Sequence, residues 1–270
     1  MPSYRFSLLL ACAVLAWAGA CAKKQPLTTT GTQGDKYFND LGKKALENKD
    51  WEDARSYFKQ LIDSYPRSNL VADARLGVAD SYFFQRGSTN LVLAIAEYRD
   101  FLTFFPNHPR ADYAQYQIAS AYHKQINKPD RDQAPTIEAV AELKKLTDLY
   151  KNSLYAEKGR DLLALCHDRL AEHEFTVGSF NLKHRKNCRG AIARFKVILQ
   201  DYPTYAHKDE VYFQLGEAYR LCRSPLEAMP YYQQVISDYP KSEFKDDAQQ
   251  ILTTLKAEQA AEGEKVTRKP

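Results

Sequence analysis

Glu172, His173 and Glu174 stand side by side in the chain, and carboxylates beside an imidazole are the equipment of general acid–base chemistry. Adjacent residues on a helix point in different directions, however, so these three cannot converge on one substrate atom. His167 beside Cys166 fails as a thiol–imidazole dyad for the same reason. The sequence contains neither a nucleophile elbow nor a phosphate-cradling glycine loop, so no catalytic residue is assigned. Asp130, Arg131 and Asp132, between Pro129 and Pro135, place two carboxylates close together, too few oxygen ligands for calcium. Their alternating charges suit one of two uses: contact with a partner, or pinning of their own loop by local bonds. The cysteines show no CxxC or CxxCH spacing, which leaves zinc and c-type haem without support. The expectation is a protein without metal or cofactor.

One cysteine has a different chemistry. Cys21 follows Ala18-Gly19-Ala20, and residues Phe6 to Ala20 are apolar except for Ser7, preceded by Arg5. That segment is short for a bilayer span and ends on small residues, as a secretory signal does. With the cysteine it resembles the bacterial lipobox, in which the thiol receives a diacylglyceryl group and becomes the first mature residue. Ala22 stands where an Asp would suggest retention in the inner membrane, so the resemblance implies an outer-membrane lipoprotein facing the periplasm. Residues 21–34 are polar, with Lys23, Lys24 and Pro26 and no apolar period, and read as a flexible tether. Residues 256–270 read as a polar tail that frays.

Composition excludes some partners. The formal net charge is +4 for the whole chain and falls to +3 without Arg5, and no block of five or six like charges occurs. Nucleic acid is therefore not an expected partner. Only 11 glycines, with abundant Ala, Leu, Glu, Lys and Gln, favour helices over sheets.

The elements that position everything else are repeated. A helix is closed at Pro66, Pro106, Lys151, Pro203 and Pro240, each preceded by an aromatic residue. Twelve positions before each closure stands an alanine (54, 94, 139, 191 and 228), and four after it a large apolar residue: Phe58, Tyr98, Leu143, Phe195 or Tyr232. Small residues three before an aromatic (Ala79 and Tyr82, Ala119 and Tyr122, Gly216 and Tyr219) mark the partner helices. Residues three or four apart share a helical face, so a small residue admits a neighbouring helix and the large one fills the space beside it. The expected fold is all-α: a tetratricopeptide-repeat solenoid of about five helix pairs (35–68, 69–109, 110–154, 155–206, 207–244) and a C-terminal capping helix to about 255. The excess in the third unit, residues 127–135, reads as a projecting loop, and the fourth unit opens with a long helical run from Tyr155 to Phe180.

Against this frame two further sets stand out. Cys188 and Cys222 fall near the bends of adjacent units, where stacking either brings them within disulfide reach or leaves them as separate small packing residues. Tyr37, Phe38, Phe84, Tyr113 and Tyr116 lie off the packing register on first helices, which line the concave side of this architecture. They are candidates for a groove that takes an extended apolar peptide.

The lipobox, the five units, the loop Pro129-Asp130-Arg131-Asp132-Gln133 and the linking-helix run Asp168-Arg169-Leu170-Ala171-Glu172-His173-Glu174-Phe175 together resemble the BamD family, over roughly residues 35–255. The resemblance implies a scaffold without catalysis in the outer-membrane β-barrel assembly machinery. It implies C-terminal repeats that bind the POTRA region of a BamA-like barrel insertase. It further implies N-terminal repeats that receive unfolded outer-membrane proteins, with other assembly lipoproteins as additional partners. Arg194 matches a family arginine linked to communication with the insertase. The rival reading is a tetratricopeptide lipoprotein that coordinates cell-wall synthesis or another envelope complex.

Overall fold

The computed structural model describes residues 33–267, so the signal segment, Cys21 and nearly all of the tether lie outside the described residues. Across them the chain forms α1 (Gly34–Glu47), α2 (Trp51–Ser64), α3 (Val71–Gln85), α4 (Ser88–Phe104), α5 (Ala111–His123) and α6 (Ala134–Leu149). There follow α7 (Leu154–Lys183), α8 (Cys188–Asp201), α9 (Lys208–Leu221), α10 (Pro225–Asp238) and α11 (Lys245–Thr267). No strand occurs among the described residues, and none of their helices is long and apolar enough to cross a membrane.

Consecutive helices pack as five pairs, and the first helices α1, α3, α5, α7 and α9 also touch one another in succession. The fold is an α-solenoid whose first helices form one continuous layer. Every second helix ends on an aromatic cap in a bent, non-helical conformation: Tyr65, Phe105, Tyr150, Tyr202 and Tyr239 all have φ between −133° and −121°. Proline follows four of the five, and it pushes its predecessor out of the helical region. Pro135 and Pro225 instead occupy first-turn positions, where the missing N–H leaves no intrahelical bond unmade.

The core is a chain of five clusters, each bridging one unit and the next. Ala54, Ala94, Ala139, Ala191 and Ala228 are fully buried, as are the large residues four positions on. Phe58 of α2 lies between Gly42 of α1 and Gly77 of α3, and Tyr232 of α10 lies against Gly216 of α9. A Cβ at Gly42 or at Gly216 would stand 2.6 Å from those rings, so only glycine permits this approach.

Two features differ from what the sequence suggests. The capping helix does not stop near Leu255 but continues to Thr267. Residues 256–264 are rich in Lys, Ala, Glu and Gln, strong helix formers that extend a helix beyond its packed part. Phe38 is buried in the first cluster with Ala54 and Phe58 and cannot face a groove.

Candidate functional site: the inner helix layer and its linking helix

α3 and α5 build the first polar centre. Asp80 follows the small packing residue Ala79, and its carboxylate accepts hydrogen bonds from Tyr98 Oη of α4 (2.5 Å) and Tyr113 Oη of α5 (2.7 Å). Gln117 Nε2 donates to the same Tyr113 hydroxyl at 3.0 Å. Arg110 lies between Asp73 and Asp80, at 3.6 and 3.8 Å, with its guanidinium 4.8 Å from the Tyr113 ring centre. Burial raises the Asp80 carboxyl above its ordinary value, against the two tyrosine hydrogen bonds and the Arg110 charge.

The Tyr113 ring continues into a cluster: it meets Tyr155 of α7 at 5.3 Å, and Tyr116 meets the same ring at 5.5 Å. The candidate groove residues therefore divide. Tyr113 and Tyr116 are brought together through Tyr155, a residue the sequence does not single out. Phe84, 48% exposed, instead stacks on Trp51 at the α1–α2 bend, and Tyr37, 40% exposed, meets Phe38 edge-on.

α7 carries the second centre. Its three adjacent polar residues serve three separate partners. Glu172 accepts from Tyr205 Oη at 2.5 Å, His173 Nδ1 meets the Pro129 carbonyl at 2.5 Å, and Glu174 accepts from Arg194 Nη1 of α8 at 2.9 and 3.0 Å. Arg194 is nevertheless about half exposed, which leaves guanidinium donors for a partner.

His173 holds the loop between α5 and α6 against the linking helix. Beneath that loop, buried Gln133 donates to the carbonyls of Lys128 and Arg131, while Thr136 donates to Gln133. Asp130 and Arg131 pair with each other at 3.7 Å and are exposed, and Asp132 accepts from the Ala134 N–H at the start of α6. The loop is thus fixed from below by Gln133 and His173, with its charges outward.

Cys166 is fully buried, and burial pushes its thiol up to about 11, far from a reactive thiolate at neutral pH. Cys188 and Cys222 are joined in a disulfide with Cα atoms 5.5 Å apart, tying the α7–α8 bend to the α9–α10 bend. At the C-terminal end a cleft of about 380 Å³ opens between α9 and α11, lined by Phe213, Glu217, Arg220, Ile251 and Leu255 among others.

Sequence reasoning passes over a repeated bolt. Where the large packing residue is tyrosine, an acid follows the small residue of the partner helix: Tyr98 with Asp80, and Tyr232 with Glu217, the latter at 2.5 Å. Where it is phenylalanine, that position holds Lys43 or Ser179 instead. The co-occurrence is visible in the sequence once the units are aligned.

A family model described as outer membrane lipoprotein, YfiO, matches residues 33–225, and a tetratricopeptide-repeat model matches residues 210–242, the fifth unit. "Outer membrane protein assembly factor BamD" of Caulobacter vibrioides is 29% identical over 218 residues, covering 81% of this chain and 70% of that one. The protein of the same name from Rickettsia prowazekii is 28% identical over 211 residues, 77% of this chain and 81% of its own length. Among solved structures, the TPR2AB domain of yeast Sti1 has a TM-score of 0.44 at 13% identity, covering 84% of each chain.

Proposed function

This chain belongs to the outer membrane lipoprotein family that spans its residues 33–225, and from that premise we propose that it is a scaffold of the machinery that assembles β-barrel proteins in the outer membrane. The observation that carries the reading is the family match over most of the solenoid, with relatives whose names state outer membrane protein assembly. The work is positioning, not catalysis. In this reading an acyl anchor on Cys21 keeps the body at the periplasmic face of the outer membrane and raises its local concentration beside the insertase.

The C-terminal units dock the POTRA region of a BamA-like insertase. Arg194, held in place by Glu174 and half exposed, is a contact there. The outward charges of Asp130, Arg131 and Asp132 form a second contact, on a loop kept rigid by His173. Tyr113 and Tyr116, with Tyr37 and Phe84 further along, offer ring surface to unfolded clients.

The test is co-purification from the native membrane with a tag after Pro270 and partners identified by mass. The expected result is a POTRA-bearing barrel protein in near-equal amount, depleted by Arg194→Glu. Recovery of cell-wall enzymes without that protein would overturn the assembly role.

A further inference from the structure

A different surface of the molecule is organised by charge. Between Glu174 and Asp201 the chain contains no acidic residue, yet it carries Lys183, Arg185, Lys186, Arg189, Arg194 and Lys196. Four of these cations, with His184, occupy the bend between α7 and α8 and are exposed. The disulfide brings the α9–α10 bend against them, with Cα atoms 5.5 Å apart, and adds exposed Arg223.

The cations divide by partner. Arg194 pairs with Glu174 and Arg220 with Glu217, and Lys183 faces Glu210. Arg185, Lys186, Arg189 and Arg223 form no ion pair among the described residues. Glu227, in the first turn of α10, is the acid these two bends contain.

Large apolar side chains stand within the same two bends: Phe180 is 48% exposed, Leu221 41% and Leu226 57%. The Arg185 guanidinium lies 5.3 Å from the Phe180 ring centre, so cation and ring form one mixed surface. Unpaired cations with a few exposed aromatic and leucine side chains are what an anionic lipid surface selects. The cations meet headgroup phosphates, and the apolar groups enter the boundary between headgroups and acyl chains. An acidic protein surface with its own apolar groups is the alternative occupant, and the vesicle experiment below separates the two. Membership in a family of outer membrane lipoproteins places the body within reach of such a leaflet.

We propose that the disulfide-joined bends of the fourth and fifth units, residues 180–189 and 221–226, bind anionic phospholipid headgroups directly, as a second membrane contact separate from any lipid anchor. This would lay the C-terminal half of the solenoid along the leaflet. The reading does not depend on the assembly role, because it concerns lipid alone.

The chain from Ala22 onward retains every described helix, which begin at Gly34, and carries neither the signal segment nor the anchor cysteine. It is to be sedimented with vesicles of phosphatidylcholine, and with vesicles in which about a third of the lipid is phosphatidylglycerol. Binding is expected only to the second, weakening as salt is raised. The variant Arg185→Gln/Lys186→Gln/Arg189→Gln should bind about 100-fold more weakly, as each cation near an anionic surface accounts for roughly a fivefold change. Unchanged helical circular dichroism would show that this variant is folded, and Arg223→Gln alone should weaken binding about fivefold. Absence of binding to the anionic vesicles, equal binding to both compositions, or full binding by the triple variant would overturn the proposal. So would a triple variant that still binds vesicles but loses a co-purifying protein, which would make the edge a protein-docking surface.

Discussion

Phe58 is gripped between Gly42 and Gly77, and the grip sets opposing effects against each other when either glycine gains a methyl group. Alanine in a helix is favoured over glycine by about 1 kcal/mol. Overpacking against a ring that cannot move away costs about 1–3 kcal/mol. Because Phe58 has a glycine on each side, the second effect wins, and Gly77→Ala should destabilise the protein by about 1 kcal/mol in urea unfolding. On a Phe58→Leu background the same change should become neutral or stabilising. A loss of the same size on both backgrounds would show that the ring is not the obstacle.

Arg86 argues in the other direction. Its φ of 63° and ψ of −176° belong to a region that glycine alone occupies freely. Arg86→Gly should therefore raise stability by about 1 kcal/mol, read as a higher urea midpoint with an unchanged slope; a lower midpoint would refute it. The packing residues at this scale are legible in the sequence, since small and large partners recur in constant register. Phe38 is not, because one residue's displacement around a helix separates a buried ring from an exposed one, and its neighbour Tyr37 is the exposed one.

Elements are joined by buried polar ties that periodicity does not display. Glu142 of α6 accepts from Arg99 of α4 at 2.8 Å and from Gln115 of α5 at 2.8 Å, with Lys145 at 3.3 Å. Burial alone would raise its carboxyl, but the hydrogen bonds from Arg99 and Gln115 and the Lys145 charge outweigh burial and hold it below the ordinary value of 4.5. A carboxyl lowered by folding contributes its full stability above the ordinary value and loses it as the pH falls through the lowered one. Glu142→Gln should thus cost about 1–3 kcal/mol at pH 7, with the gap to the unaltered protein closing below about pH 4. Urea midpoints at pH 7, 5 and 3 would show this; a gap constant with pH would assign the effect to shape instead of charge. The helices themselves are readable because their closures carry proline and an aromatic cap. The extension of α11 to Thr267 escapes the same reading, since a helix held by propensity alone has no apolar stripe to announce it. His173 shows the complementary case: its motif is visible in the sequence, yet its task, gripping the Pro129 carbonyl 44 residues away, depends on the solenoid's winding.

At the scale of the whole molecule each unit rests only on its neighbours, so stability is local and a bond between units acts where it is placed. The Cys188–Cys222 disulfide closes a stretch of 34 residues, for which the loss of unfolded-state freedom amounts to about 3–4 kcal/mol. In a single compact core that amount would be shared by every helix. Here it should stay in the last two units and the cap, because no packed helix pair joins α1 to α4 with α8 to α11. The basic lipid-facing edge involves the same bond, since it ties the bend that carries Arg223 to the bend that carries Lys186 and Arg189. The sequence places both cysteines near bends but cannot show that the winding superimposes those bends. The acid-free run from 175 to 200 is equally plain in the sequence, yet its cations are spaced too widely to register as a block until the bends fold them onto one edge. Cys188→Ala/Cys222→Ala should therefore speed amide hydrogen exchange across α8 to α11 and leave α1 to α4 unchanged. Its affinity for phosphatidylglycerol vesicles should fall several-fold, while the helical content stays constant. Uniformly faster exchange along the chain would mean that the solenoid unfolds as one cooperative body and that the disulfide braces the whole of it.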